Sequence, residues 1–262
     1  MGPTDEDPKD VDGELSGESM RLVREMDTLI ERSRLLLQAP EKEPATLGGV
    51  LYAKASHPVI SEREWVSLVH SIASGDQRAL QALYERVGGP VETLIAHIIG
   101  DERAAGERTV AVFHDIQRRA AGYRAMVDGT VVAWVMNLAR RGKDARFKAD
   151  AEFAIDTSAK SGWRNTTWED VAAGISVNLL ATDEERHMVS MLVRLVPGGE
   201  YPPHTHAGIE QLHLLEGELW IDDRKLYPGD YNRAEPGTGD KRVWSETGCL
   251  CVLVTSTRDA LR

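Results

Sequence analysis

Apolar residues recur at helical spacing through the first half of the chain and shift to strand-like spacing in the last third. Leu22, Met26, Leu29, Ile30, Leu36 and Leu37 lie among Arg and Glu over 19–38, the spacing of an amphipathic helix. Pro40 and Pro44 stop it, and packing on its own chain is favoured over a partner-binding role. Ser61 with Glu64 forms a capping-box pattern ahead of Trp65, Leu68, Val69 and Ile72; Gly75 ends that helix and Asp76 caps the next. The second stripe is Ala79, Leu80, Leu83, Tyr84 and Val87. Gly88-Gly89-Pro90 then predicts a turn, followed by a third stripe of Val91, Leu94, Ile95, Ile98 and Ile99. A fourth helix is expected from Glu102 to Ala121 and a fifth from Thr130, with Val131, Trp134, Val135 and Leu138 inward. Together they predict a small helical bundle.

After Ala151 the pattern reads as strands. Met188 to Val196 is rich in β-forming residues, and Gly/Pro punctuation recurs at Pro197-Gly198-Gly199, Pro202-Pro203, Glu216-Gly217, Pro228-Gly229, Pro236-Gly237 and Gly248. Short strands between regular turn signals indicate an all-β barrel or sandwich. The expected organisation is an acidic disordered tail (1–18), an amphipathic helix and linker (19–60), an all-α helical domain (61–148), a linker and start of the barrel (149–180), and the barrel (181–262).

The length of 262 residues suffices for two modest cores. The chain shows no signal-peptide pattern and no run approaching the ~20 apolar residues of a membrane span, so a cytoplasmic protein without a membrane partner is expected. Cys249 and Cys251 alone provide neither a disulfide framework nor a four-cysteine zinc site, and they read as two small buried hydrophobes in a terminal strand. A net charge of −11 argues against coating nucleic acid by bulk electrostatics. The charge is unevenly spread: residues 1–20 carry seven acids against one base, whereas 118–148 hold eight bases against Asp128 and Asp144. Any contact with an anion is expected in that basic stretch.

His204 and His206 are separated by one residue in a segment leading into a strand, which turns both imidazoles to one face. Glu210 follows across an expected turn at Ala207-Gly208 and can reach the same point. Two neutral imidazoles and a carboxylate suit Fe(II), Zn, Mn, Ni or Cu, with positions left open for water or substrate. A barrel that has lost its metal and keeps the three as a hydrogen-bonded cluster is the alternative. His213, three residues beyond Glu210, should face the other side of its strand, as a surface residue or a support to the ligands.

Residues 198–217, GGEYPPHTHAGIEQLHLLEG, resemble the first cupin motif in the spacing of Gly198, His204, His206, Glu210 and Gly217, and LLEGEL followed by YPGDY strengthens the match. The resemblance implies a double-stranded β-helix barrel, covered by Ala181 to Ser256, with a divalent metal inside, zinc first and Fe, Mn or Ni next. In cupins the second motif contributes a further His. Here PGDYNRAEPGTGDKRVWSETGC contains none, and Asp240 stands at about that place, implying a site of two His and two carboxylates. SETGC and PPHTH resemble the ChrR-type cupin of anti-sigma regulators, which implies a sensing module with a possible small-molecule ligand, and a homodimer. The zinc-binding HxxxCxxC motif of those anti-sigma proteins is missing from this sequence.

Residues 65–147 are similar to the region 2 helical domain of extracytoplasmic-function sigma-70 factors, through SLVHSIASGDQRALQALYERVGGPV, HIIGDERAAGERTVAVFHDIQRRAAGY and GTVVAWVMNLARRGKDARF. The partners implied are RNA polymerase, a sigma factor or promoter DNA. Val110 and Ala111 stand where the family carries a Gln-Glu pair before the Val-Phe of its polymerase-binding helix, and a barrel replaces the promoter-reading region 4. Arg140, Arg141, Lys143, Arg146 and Lys148 fall where the last region 2 helix meets DNA; the competing reading is a solvated helix end whose cations complement the helix dipole.

Three functions follow. The first is a transcription regulator coupling a metal-binding cupin sensor to a degenerate region 2-like domain; it should show an exposed apolar groove between bundle and barrel. The second is a metal-dependent cupin enzyme of dioxygenase or isomerase type, which should gather further polar groups around the ligands, with Glu200, Gln211, Arg194 and Trp220 as candidates. The third is a fusion kept for protein interaction only.

Overall fold

The computed structural model describes residues 45–54, 60–141, 155–158 and 167–262. The expected acidic tail at 1–18, the amphipathic helix at 19–38, and Lys143, Arg146 and Lys148 lie outside these residues. The described residues fall within one compact unit, Pro44–Arg262. Among them, no helix is long and apolar enough to cross a membrane.

Helix α1 (Leu47–Lys54) belongs to the barrel rather than to the bundle: Leu47 and Leu51 are buried in the barrel core. The stretch assigned to a linker therefore contains a helix. Its start is tied to the chain's end, with the amides of Leu47 and Gly48 donating to the carbonyls of Asp259 (3.0 Å) and Thr257 (2.7 Å). A Cβ on Gly48 would lie 2.8 Å from the Thr257 oxygen, so this close approach requires glycine.

The bundle begins with α2 (Glu62–Ala73), whose N-terminus carries the expected capping box: the Ser61 amide donates to Glu64 Oε2 (2.9 Å) and the Glu64 amide to Ser61 Oγ (3.4 Å). Asp76 caps α3 (Gln77–Ile99), and Asp101 caps α4 (Glu102–Arg119) through the amides of Arg103 and Ala104. The turn expected at Gly88-Gly89-Pro90 does not occur; these residues lie inside the continuous helix α3, and all three are buried. Helix-breaking propensity, about 3 kcal/mol for an interior proline, is outweighed here by packing on both sides of the break, from Tyr84 and Val87 to Val91 and Leu94. Helix α5 (Ala125–Asp128) is one turn, and α6 (Val131–Arg141) follows. Tyr84 packs edge-on against Phe113 at 5.0 Å in the centre of the bundle.

The barrel is built from three antiparallel sheets. The largest contains β1 (Glu169–Ala172), β2 (Ile175–Asp183), β3 (Met188–Leu195), β6 (Glu210–Gly217), β9 (Tyr231–Ala234) and β12 (Cys249–Ser256), in the order β1-β2-β3-β12-β6-β9. A second sheet has β4 (Glu200–Tyr201), β11 (Val243–Trp244), β7 (Leu219–Ile221) and β8 (Arg224–Leu226). The third joins β10 (Gly239–Asp240), β5 (His204–Thr205) and β13 (Ala260–Leu261). At Gly217, φ is +74° and a Cβ would collide with the Gly248 carbonyl, which explains why the motif needs glycine there.

The large sheet is buried on both faces. Along β12, Cys249, Cys251 and Leu253 enter the barrel core, while Leu250, Val252 and Val254 join the bundle core with Leu192 and Leu215. That two-sided burial explains the nearly unbroken apolar run CLCVLV. Polar links fix the junction: Trp65 Nε1 donates to the Leu180 carbonyl (3.0 Å), Asn137 Nδ2 to Gln211 Oε1 (3.0 Å), and the Thr130 and Ser190 hydroxyls meet at 3.1 Å. Glu62 accepts from the Val131 amide at 2.6 Å at the start of α6, and burial raises its pKa to about 7.

Candidate metal centre

Three short or bent elements bring four donors together. After the bend at Ala207-Gly208, β6 begins with Glu210 pointing into the barrel; β10 pairs with β5 so that Asp240 lies opposite His204. His204, His206 and Glu210 are each 5% exposed or less. One ligand atom from each of the four lies within 4.8 Å of all the others. His204 Nε2 is 3.9 Å from Glu210 Oε2 and from Asp240 Oδ2, and His206 Nε2 is 3.7 Å from Glu210 Oε1 and 3.8 Å from Asp240 Oδ2. These separations are longer than hydrogen bonds, so the four donors surround one point without bonding to one another.

The outer ring nitrogens set the tautomers. His204 Nδ1 donates to the Pro202 carbonyl at 3.1 Å, because a carbonyl only accepts. Thr238 donates its hydroxyl to the Glu235 carbonyl (2.7 Å), which leaves its oxygen to accept from His206 Nδ1 (3.0 Å). Both Nε2 atoms are then lone-pair donors facing one point, the arrangement metal-ligating histidines adopt. Burial also lowers the His204 pKa, against the opposing effect of the hydrogen bond that the ring donates to the Pro202 carbonyl, and so favours the neutral ring.

The donor set fits a divalent cation. His206 Nε2 and Asp240 Oδ2 are buried without a hydrogen-bond partner. Burial, with Asp240 and Asp259 nearby, pushes the Glu210 pKa up to about 8. Two close carboxylates in such a place repel each other, whereas a dication would neutralise both and accept the two imidazole lone pairs.

Two supporting groups carry no motif. Asp259, 1% exposed, holds the His-Thr-His loop: Ala207 N donates to its Oδ1 at 2.7 Å, and the Thr255 hydroxyl donates to Oδ2. Tyr201 packs edge-on against His204 at 5.3 Å, and burial raises its pKa. Strand alternation places Tyr201 on the cavity side, but β4 is too short to show that in sequence.

The cavity beside the donors has a volume of about 30 Å³ and an aliphatic lining that includes Val193, Leu212, Leu219 and Leu253, with Cys251 at its wall. Burial pushes the Cys249 thiol up to about 12 and Cys251 well above its usual range, so both are inert thiols, as expected of small buried hydrophobes. None of the candidate substrate groups lines this cavity. Glu200 pairs with Arg242 on the surface, Arg194 lies over Trp168, Trp220 stacks on Trp244, and Gln211 faces the helices.

His213 faces away from Glu210 as strand alternation requires, but it is neither a surface residue nor a support to the ligands. It is fully buried under the bundle with its ring 4.8 Å from Tyr231, and neither nitrogen has a hydrogen-bond partner. Burial, helped by Arg140, lowers its pKa to about 3. Arg140 and Arg141 end α6; Arg140 lies 4.4 Å over the Tyr231 ring and Arg141 is exposed. Val110 and Ala111 are half-buried on α4.

Residues 159–258 match the family described as the ChrR cupin-like domain. The chain is 24% identical over 143 residues, 55% of its length, to 71% of the ECF RNA polymerase sigma factor SigK of Mycolicibacterium vanbaalenii. Among solved structures it is similar to a cupin-like protein of unknown function from Ralstonia eutropha JMP134 (19% identity, 32% of this chain, TM-score 0.30). It is also similar to an RmlC-like cupin from the same organism (18% identity, 36% of this chain, TM-score 0.33). The chain spans 55% and 64% of the lengths of these two proteins. The C-terminal part of the protein is thus a ChrR cupin-like domain, joined to an N-terminal helical part similar to an extracytoplasmic-function sigma factor.

Proposed function

We propose that the protein is a cytoplasmic, anti-sigma-like transcription regulator in which the barrel holds a divalent metal and its state alters what the region 2-like helices bind. His204, His206, Glu210 and Asp240 hold the ion, zinc first among the candidates by resemblance. The bound ion supplies a charge-neutralising Lewis acid in an aliphatic pocket. The partners proposed are RNA polymerase, a sigma factor or promoter DNA, reached in part through Arg140 and Arg141.

One observation carries this reading. Strand β6 presents Glu210 to the metal cluster and, one residue later, hydrogen-bonds the bundle through Gln211 and Asn137. A displacement of Glu210 on binding or losing an ion is therefore transmitted within one residue to α6. The enzyme reading, a dioxygenase or isomerase, has less support. The cavity of about 30 Å³ has room for about one water, and the polar groups a substrate would need point elsewhere.

The test is capture of core RNA polymerase by the full chain with metal loaded, after chelation, and with His204→Ala plus His206→Ala. Capture that changes with the metal supports the regulator. Absence of capture in every state, with a metal-loaded barrel, overturns its polymerase-binding form.

A further inference from the structure

Where the end of α4, the α5 turn and α6 meet the outer face of the large sheet, an open groove of about 910 Å³ is formed. Six arginines line it, Arg118, Arg119, Arg140, Arg141, Arg186 and Arg233, against a single lining acid, Asp128. Counting Asp128 and the three acids at its edge, the groove keeps an excess of two cations in a chain of net charge −11. Asp115, Asp183 and Glu235 engage Arg118, Arg119, Arg186 and Arg233 at the groove's edge. Arg140 is held on Tyr231 with its Nε buried and unpartnered, and Arg141 is exposed.

The groove is also apolar. Met126 and Val127 of α5 are 84% and 80% exposed, the most exposed large hydrophobic side chains among the described residues. Leu138, Ile209 and Val254 line the same space. Adjacent exposed aliphatic side chains in a ring of cations mark an interaction surface.

We propose that this groove docks an acidic segment of a partner protein, one in which carboxylates flank aliphatic or aromatic side chains. The inference rests on the regulator reading and names the partner's chemistry. Charge complementarity selects the acidic partner: guanidinium groups take carboxylates in paired hydrogen bonds. Met126 and Val127 select protein over nucleic acid, since a phosphate backbone would satisfy the arginines and leave both aliphatic side chains in water. The docking site is one residue from the metal cluster on either side, because Ile209 and Gln211 line the groove while Glu210 between them lines the cavity.

The experiment is fluorescence anisotropy on the full chain with three labelled probes: a peptide of Glu and Leu at helical spacing, the same peptide with Lys for Glu, and a DNA duplex of matching net charge. The Glu/Leu peptide is expected to bind most tightly at physiological salt. Arg118→Glu plus Arg141→Glu, both at exposed positions, is expected to weaken it by about tenfold or more. Met126→Ser plus Val127→Ser is expected to weaken it by about fivefold. No peptide binding, tighter binding of the duplex, or indifference to the Met126 and Val127 changes overturns the proposal. Self-association abolished by the same variants does so too, since it would make a second copy the occupant. Metal-dependent polymerase capture without peptide binding removes the groove and leaves the regulator; peptide binding without polymerase capture supports the groove and removes the polymerase.

Discussion

Glu210 and Gln211 are neighbours on β6, and their surroundings differ in every respect that matters to a ligand. On the inner face, four donors, three on strands and His206 in the loop after β5, converge within 4.8 Å beside a cavity of about 30 Å³. On the outer face, six arginines and two exposed aliphatic side chains surround a space of about 910 Å³. A small cation needs dry, preorganised lone pairs, and closure inside a barrel provides them. A protein segment needs reach and an open edge, which the junction of two layers provides. Strand alternation keeps the two chemistries one residue apart without mixing them.

This comparison is most severely tested by packing. If both faces of the large sheet are core, Leu214→Ala inside and Leu215→Ala outside should each cost about 2–5 kcal/mol, with bundle and barrel melting in one transition. Two separate transitions for Leu215→Ala would show that the layers are independent. Next in size is the metal: His206→Ala should lower divalent-ion affinity by more than about 100-fold in calorimetric titration, while a groove change such as Arg141→Glu leaves it unaltered. Thr238→Ala keeps all four donors but frees the His206 ring, and should cost about 10–100-fold in the same titration.

A pH experiment probes the outer face specifically. His213 has a folded pKa of about 3 against an ordinary value of 6.5, so the unfolded chain takes up its proton first as pH falls. Its contribution to stability is intact above pH 6.5 and is lost progressively from there toward pH 3. His213→Phe should remove that loss, gaining about 2 kcal/mol relative to the parent at pH 5 by urea unfolding. Glu62, raised to about 7, acts with the opposite sign, and the parent-to-variant difference cancels it. Glu185→Ala, which removes an exposed ion pair with Arg63, should change stability by less than about 1 kcal/mol.

Local signals were legible where the physics is local. The capping residues Ser61 and Asp76 satisfy amides within three positions of themselves, so they appear as short patterns and recur in the structure. The strand over Met188–Leu195 and the close approach of His204, His206 and Glu210 likewise follow from alternation and one bend. Gly88-Gly89-Pro90 misled because turn propensity was weighed without the packing that surrounds α3. Helix α1 is not legible because Gly48 and Gly49 are poor helix formers, and what holds it is distant in sequence: the carbonyls of Thr257 and Asp259 at its start and the barrel core around Leu47 and Leu51.

The sequence by itself determined the order of a helical part before a β part, the motif spacing that puts two imidazoles and a carboxylate on one strand system, and the concentration of basic residues around α6. Each depends on spacing along the chain, which periodicity records. Only the tertiary structure decided that Asp240 lies opposite His204, that Asp259 braces the ligand loop, that His213 is buried under the bundle, and that Arg186 and Arg233 join Arg140 and Arg141 around one groove. Those relations join residues tens of positions apart in sequence, and no periodicity encodes which layer will cover the outer face of a sheet.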